Sequence, residues 1–350
     1  MARTRRLFLS DLHLSSRAAS ASGRSWWGVP GRKRRLLAYL DGEVLGCAQD
    51  LREVVLLGDI FDNWLAPMCA EPPTYAEMLA ANQDVLVRLA LLLERGVNVV
   101  FIPGNHDYDL DVWALEAALP GATVRECFEV PGVLHARHGH EHTMFNSCDL
   151  DEVEGRPLGY FFGRMGEELL PGGESTSALI RYFLRGALNN VHRADFVGRV
   201  MRVVFETARV TARDVFVMDD GQELRVADVL ERYALSAARM PLAERLWRLA
   251  EKPKHLGGSA RRHVHASGCP IVLLGHTHDA VLKPLRAGNV WLANCGAWCQ
   301  EVAHVIEVIE HDPGAPVEVT LRRVDEDGVA HDVTWARVGR RRCASAHILH

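Results

Sequence analysis

The run Val54-Val55-Leu56-Leu57-Gly58-Asp59-Ile60-Phe61-Asp62 decides the fold. Its apolar part is too short for a helix and suits a strand buried on both faces, and it stops abruptly at Gly58. Glycine lets the backbone turn sharply there, which delivers Asp59 into a cleft at the strand end. A carboxylate so placed can bind two cations through its two oxygens, making Asp59 the natural bridge between a pair of ions. Asp62, three residues on, suits a supporting role, accepting a hydrogen bond from a ligating histidine.

Working outward, the same pattern of apolar run and sudden polar residue occurs four more times. The instances are Leu7-Phe8-Leu9 before Asp11, residues 97–102 before Gly104, Val133-Leu134 before His138, and residues 271–274 before Gly275. Helical patterns lie between them at residues 34–49 and 75–94. Strands alternating with helices predict an α/β domain whose ligands sit on loops at strand ends. From about residue 145 to 267 the pattern stops and helical spacing takes over, at residues 177–191, 194–208 and, around Pro241, 226–249. Pro171-Gly172-Gly173 and Gly257-Gly258-Ser259 read as loops near the ends of this stretch. After Gly275 β character returns at residues 290–292, 305–309 and 317–324. The expected organisation is a core split between residues 1–144 and 268–339, a mainly helical insertion or cap at 145–267, and a flexible tail at 340–350.

Composition sets the class. A chain of 350 residues with 48% hydrophobic content can bury a sizeable core. Forty basic against 45 acidic residues give a net charge of -5, so no overall field advertises a nucleic-acid partner. The N-terminal Arg3, Arg5 and Arg6 imitate the start of an export signal, but Ser10 and Asp11 cut the apolar run short. The most apolar stretch, residues 85–102, carries Arg88, Glu94 and Arg95 and is too charged to span a membrane. Eight cysteines without any CxxC pair fit reduced thiols and a cytoplasmic location.

The polar strand ends are rich in one chemistry. A single histidine among 17 is ordinarily a surface or core residue, and Asp, Asn and Gly punctuate strands routinely. Punctuation does not explain histidines at four of the five ends. Asp11-Leu12-His13 and His276-Thr277-His278 each place two ligands at i and i+2, which share a side in extended backbone. Gly104-Asn105-His106-Asp107 offers an amide oxygen, an imidazole and a carboxylate, and Arg137-His138-Gly139-His140-Glu141-His142 offers three imidazoles. A donor set of oxygen and nitrogen without cysteine suits two divalent ions, with Mn, Fe, Zn or Co as candidates.

In this order, the five blocks resemble the calcineurin-like metallophosphoesterase superfamily, with its DxH, GDxxD, GNH(D/E), H and GHxH pattern, over residues 11–278. The resemblance implies an αββα sandwich of two mixed sheets flanked by helices. It also implies one metal on Asp11, His13, Asp59 and His278, and a second on Asp59, Asn105, His138 and His276. His140 and His142 compete for the lone-histidine position. His138, which directly ends its strand and precedes glycine, is preferred. His106 matches the family's non-ligand histidine beside the leaving group, with Asp107 as the carboxylate that orients it. The implied reaction is hydrolysis of a phosphomonoester, phosphodiester or pyrophosphate by a hydroxide bridging two ions, Mn or Fe foremost. Asn294-Cys295-Gly296-Ala297-Trp298 is similar to an Asn-x-Gly-x-Trp segment that follows the last motif.

The Ser10 to Leu14 and Leu56 to Asp62 blocks and the insertion most resemble the UDP-2,3-diacylglucosamine pyrophosphatase-like branch. That implies a nucleotide, another phosphorylated small molecule or a lipid-linked nucleotide as substrate, with peripheral membrane association in the lipid case. The chain departs from that branch at His106, where arginine is usual, and at Gly139-His140, where the branch has Gly-Asp. Lys252, Lys254, Arg261, Arg262, His263 and His265 crowd the return from insertion to core, and Arg261 and Arg262 are candidates for contacting substrate phosphate. The alternatives are a nuclease of the same superfamily and a non-catalytic metal-binding scaffold. Net acidity argues against the first and the complete ligand set against the second.

Overall fold

The computed structural model describes residues 3–21, 31–150, 154–169, 192–193, 195, 198–200, 202, 210–251, 256–285, 290–312 and 314–340. Candidate helices at 177–191 and most of 194–208, the loop at Pro171, Lys252 and Lys254, and nearly all of the tail lie outside them.

All five expected strands form: β1 (Thr4–Leu9), β2 (Leu51–Leu57), β3 (Asn98–Ile102), β6 (Leu134–Ala136) and β9 (Ile271–Leu274). The others are β4 (Thr123–Val124), β5 (Phe128–Val130), β7 (Val215–Val217), β8 (Glu223–Arg225), β10 (Val281–Pro284), β11 (Trp291–Asn294), β12 (Ala303–Glu310), β13 (Val317–Val324) and β14 (Ala330–Val338). One sheet runs β14-β13-β12-β1-β2-β3-β4 and a second runs β10-β11-β9-β6-β5. Both are mixed: β1, β2, β3 and β4 pair in parallel while β12 is antiparallel to β1, and β11, β9 and β6 are parallel while β5 and β10 run against them.

Side-chain alternation in β1 shows why the layers stack. Phe8 joins Val55, Leu57, Val100, Ile102, Leu134, Ile271 and Leu273 in a core between the sheets. Its neighbours Leu7 and Leu9 point the other way, onto Leu36, Tyr39, Leu86, Leu89 and Leu92 of the helices Arg32–Tyr39 and Gln83–Glu94. The outer face of the second sheet, through Val272, Leu274 and Leu292, packs on Leu256 and Ala260 at the start of helix Gly257–Ser267. The result is helix, sheet, sheet, helix. Each fully buried Leu or Phe contributes about 1.5–3 kcal/mol by its removal from water.

Several local expectations change. Residues 75–94 form two helices, Tyr75–Ala81 and Gln83–Glu94, because Asn82 turns its amide onto the carbonyls of Met78 (2.7 Å) and Ser15 (3.0 Å). The helical reading at 34–49 becomes an α-helix, then a π-turn at Leu40–Leu45 and a 3-10 turn at Ala48–Asp50. Gly257-Gly258-Ser259 is not a loop but the first turn of helix Gly257–Ser267, entered through Leu256 at φ 56°. Strand β14, in which alternation is weak because five successive residues are exposed, has no counterpart in the sequence reading.

Two compact units result. The first holds Met1–Phe61, Tyr75–Gly139 and Lys254–His350, and the second Asp62–Thr74 and His140–Pro253. The second has its own core of Trp64, Met144, Phe161, Phe216, Val229 and Tyr233, and contains the helices Leu158–Leu169, Val226–Arg239 and Leu242–Glu251 with the β7–β8 hairpin. Among the described residues, no helix is long and apolar enough to cross a membrane.

Candidate metal centre

The ends of β1, β2, β3, β6 and β9 carry Asp11, His13, Asp59, Asn105, His138, His276 and His278 within the first unit, all but His278 buried. Six non-glycine residues among those described have positive φ, and five of them are Asp11 (56°), His13 (50°), Asp59 (53°), His276 (66°) and His278 (63°). The extended geometry expected for the two i, i+2 pairs is therefore corrected: left-handed backbone turns both members inward. Such a conformation costs on the order of 1 kcal/mol or more per residue and persists only where surroundings enforce it. Here the enforcement is visible. Asp11 N–H donates to the Gly58 carbonyl (3.0 Å), His13 N–H to that of Asp59 (2.9 Å) and Leu14 N–H to that of Ile60 (2.8 Å).

Close approach also explains the glycines that lead three motifs. A methyl group on Gly58 would strike the His138 ring, and one on Gly104 would strike the Asp59 carboxylate. On Gly275 it would strike Ser10 Oγ and lie 3.0 Å from both Asp11 Oδ2 and His138 Nδ1.

The donors fall into two groups that share Asp59. In one, His13 Nε2 lies 3.4 Å from His278 Nε2, Asp11 Oδ1 lies 3.1 Å from His278 Nε2, and Asp59 Oδ2 lies 3.9 Å from His13 Nε2. In the other, His138 Nε2 is 3.1 Å from the same Asp59 Oδ2, and the donor atoms of Asp59, His138 and His276 lie within 4.8 Å of one another. Asp59 Oδ1 accepts the His106 N–H at 2.8 Å, so a single oxygen faces both groups rather than one oxygen each.

Surrounding hydrogen bonds aim these atoms. His138 Nδ1 faces the Leu57 carbonyl at 2.8 Å, an acceptor only, which fixes a proton on Nδ1 and turns Nε2 toward Asp59. Asp11 Oδ2 accepts Ser10 O–H and the His276 N–H (3.1 Å), leaving Oδ1 for the histidines. Asn294, from the segment after the last motif, donates to the Gly275 carbonyl (2.6 Å) and Thr277 Oγ1 (3.1 Å) and so clamps the His276 turn. Ser10 was not read as part of the site; its signal was only its place beside Asp11.

Electrostatics follow from burial and pairing. Burial raises the Asp59 carboxyl, but His138 and His106 outweigh it and hold the group well below the usual range. Asp11 is lowered in the same way, burial being outweighed by His278 and His138. Burial opposes protonation of His138, yet the charges of Asp59 and Asp11 push it up to about 10. Burial, then Asp59, pushes Asp107 up to about 6.

The remaining sequence candidates are placed as follows. His106 stands edge-on to the His13 ring with centroids 4.5 Å apart. Asp107 takes backbone partners in place of the expected imidazole: it accepts N–H groups from Gly104 (2.6 Å), Asp59 (3.1 Å), Ile60 (2.7 Å) and Phe61 (3.1 Å), tying two motif loops together. Asp62 opens the second unit, where Oδ1 accepts the Trp64 N–H at 3.0 Å. His140 and His142 also belong to that unit, near Glu141 at 3.8 and 3.6 Å. Arg261 and Arg262 are exposed on helix Gly257–Ser267.

The residues fit a pair of cations. Asn105 Oδ1 is buried and accepts no hydrogen bond among the described residues, which is costly unless a cation completes it, while Asp11 Oδ1 has only imidazole nitrogens near it, His278 Nε2 at 3.1 Å and His13 Nε2 at 3.9 Å. The oxygen and imidazole donors suit a divalent first-row metal.

The chain is 30% identical over 102 residues to UDP-2,3-diacylglucosamine hydrolase of Aromatoleum aromaticum, a match spanning 29% of this chain and 32% of that relative. Among solved structures, a predicted phosphoesterase from Streptococcus pneumoniae TIGR4 aligns at a TM-score of 0.34 with 11% identity, over 97% of this chain and 99% of that one. Vacuolar Protein Sorting 29 from Cryptosporidium parvum aligns at 0.38 with 10% identity, over 97% and 100%. The sequence profile of the calcineurin-like phosphoesterases matches residues 4–280, taking in all five motifs, and the chain therefore belongs to that family of phosphoester-hydrolysing enzymes.

Proposed function

We propose that this chain hydrolyses phosphate esters or anhydrides at a dinuclear centre in which Asp59 is shared. The observation that carries the reading is the position of Asp59 Oδ2, 3.1 Å from His138 and 3.9 Å from His13, between two separate sets of buried donors. Asp11, His13, Asp59 and His278 would hold one ion, and Asp59, Asn105, His138 and His276 the other. The chemistry supplied by such ions when bound is Lewis acidity, which brings a water's pKa toward neutrality and offsets charge on phosphoryl oxygens. Asp11 and Asp59 balance part of the cationic charge, and neutral Asn105 leaves the centre net positive toward an anionic substrate. His106, beside His13, donates a proton or hydrogen bond to the leaving oxygen. Asp107 keeps the Asp59 and Asn105 loops in register through its four N–H partners. No side chain is required as a covalent nucleophile.

The substrate class we favour is a phosphorylated small molecule, nucleotide or lipid-linked nucleotide, supported by the partial match to a UDP-2,3-diacylglucosamine hydrolase. Arg261 and Arg262 supply exposed positive charge in the first unit for such an anion. The test is hydrolysis by metal-reconstituted protein of p-nitrophenyl phosphate, bis-p-nitrophenyl phosphate, nucleotide diphosphate conjugates and single-stranded DNA. Turnover of a small phosphate ester that Asp59→Asn removes, together with both ions, supports the reading. Cleavage of DNA alone would make the chain a nuclease, and inactivity on every substrate with two ions bound would make it a scaffold.

A further inference from the structure

Ser10 precedes the first motif ligand and is fully buried where the ends of β1, β2 and β9 meet. Its Oγ contacts Asp11 Oδ2 and lies 2.8 Å from the Leu57 carbonyl. Both partners are acceptors, and a hydroxyl has one proton to give. The Leu57 carbonyl already receives the His138 Nδ1 proton at 2.8 Å, whereas Asp11 Oδ2 carries charge, so the Ser10 proton goes to Asp11. The third strand end leaves room for this hydroxyl: a methyl group on Gly275 would strike Ser10 Oγ.

The consequence lies in how Asp11 presents its two oxygens. Oδ2 is occupied by the Ser10 O–H and the His276 N–H (3.1 Å), while Oδ1 faces His278 Nε2 at 3.1 Å and His13 Nε2 at 3.9 Å. A carboxylate binds a cation through one oxygen or through both, and the second mode fills one more coordination position. A hydrolytic centre needs a position left open for water or substrate. The His276 N–H belongs to the backbone, so of the two bonds that occupy Oδ2 only the one from Ser10 is made by a side chain.

We propose that Ser10 is a positioning residue that holds Asp11 as a one-oxygen ligand and so keeps a coordination position open at the half-centre of Asp11, His13 and His278. The proposal rests on the reading of these residues as a metal centre. Without the hydroxyl, the Asp11 carboxylate is free to turn Oδ2 toward the same position as Oδ1. Cation binding is then kept, and the place for water or a phosphoryl oxygen is lost. Asp59 does not change with it, because the His106 N–H holds Asp59 Oδ1 at 2.8 Å independently of Ser10.

Full-length protein carrying aspartate labelled with carbon-13 at the side-chain carboxyl is stripped of metal and reloaded with Zn, and infrared difference spectra, loaded minus stripped, are recorded. The antisymmetric and symmetric carboxylate stretches lie far apart for a one-oxygen ligand and close together for a two-oxygen ligand. The unmutated protein is expected to show wide separations only, and Ser10→Ala one narrow pair beside a wide one. Metal analysis of Ser10→Ala is expected to find both ions, while its turnover of p-nitrophenyl phosphate or its bis ester falls roughly 10- to 100-fold at saturating substrate. Ser10→Thr, which keeps the hydroxyl, is expected to keep the wide separations. A narrow pair already present in the unmutated protein would overturn the proposal without any variant and leave the metal centre standing. So would an unchanged spectrum in Ser10→Ala, a narrow pair in Ser10→Thr, or loss of the ions from Ser10→Ala, which would make the hydroxyl a determinant of affinity instead. No spectral change on loading the unmutated protein would overturn both readings.

Discussion

His138 shows how a single side chain links folding to metal chemistry. Its Nδ1 is committed to the Leu57 carbonyl and its Nε2 to Asp59, and despite burial the charges of Asp59 and Asp11 lift its pKa to about 10 from the ordinary 6.5. A raised folded value stabilises the protein fully below the unfolded value, and that stability is lost as pH climbs through the folded one. The metal-free protein should therefore lose stability as pH rises from 6.5 toward about 10 through this group. On the proposed assignment Nε2 would be a ligand and carry no proton once metal is bound, so loading should release protons and this alkaline loss should vanish. Melting curves of chelator-treated and metal-loaded protein across that range, with calorimetric metal titrations in two buffers of different ionisation enthalpy, check both. A metal-free melting temperature that rises with pH would contradict the assignment. Asp107 gives a second test. Asp107→Asn puts an amide NH₂ opposite backbone N–H donors of the Asp59 loop, a loss of about 1–3 kcal/mol for each donor left unsatisfied. The variant should bind both ions more weakly while the sheet core stays folded, as metal analysis and circular dichroism would show.

At the scale of the element, each turn that carries a candidate ligand is a strand end that has run out of room. Gly104 is needed because the Asp59 carboxylate occupies the space a methyl group would fill, and Gly275 because Ser10 Oγ occupies it with Asp11 and His138 close behind. Gly104→Ala and Gly275→Ala should each displace a neighbouring ligand and lower turnover by about 100-fold, the order of loss that an ångström of misplacement produces. Gly42→Ala, at a site open to solvent, should leave turnover and metal content unchanged. Equal behaviour of all three variants would show that the crowding has no catalytic consequence. Parallel pairing of β1 with β2 and β2 with β3 brings successive strand ends to the same edge, so ligands distant in sequence meet.

At the scale of the whole molecule, the two units have separate cores, and the second is built around a buried cation. Arg164 sends Nη2 to the carbonyls of Val217 (2.8 Å) and Ala70 (2.5 Å) and Nη1 to the Tyr160 hydroxyl (2.7 Å), and packs over the Phe216 ring. Arg164→Met keeps much of the volume and strands those acceptors, so it should destabilise the second unit by about 3 kcal/mol. Hydrogen exchange should speed up in Val226–Arg239 while β2 stays protected; unchanged exchange there would count against the role. The sequence by itself determined the strand ends, because short apolar runs have nowhere to go but the core of a sheet and histidines recur at ligand spacing after them. It also determined the family through those motifs. Where it failed, the cause was long-range. The left-handed backbone at Asp11, His13, His276 and His278 depends on neighbouring strand ends, and the glycine crowding depends on side chains far away in sequence, 80 positions between Gly58 and His138 and 265 between Gly275 and Ser10. The four backbone partners of Asp107, three of them some 46 to 48 positions away, and the approach of Ser10 to the Leu57 carbonyl leave no periodic trace in the chain. Only the tertiary structure decided them, because each is a contact between segments whose local sequences are indifferent to it.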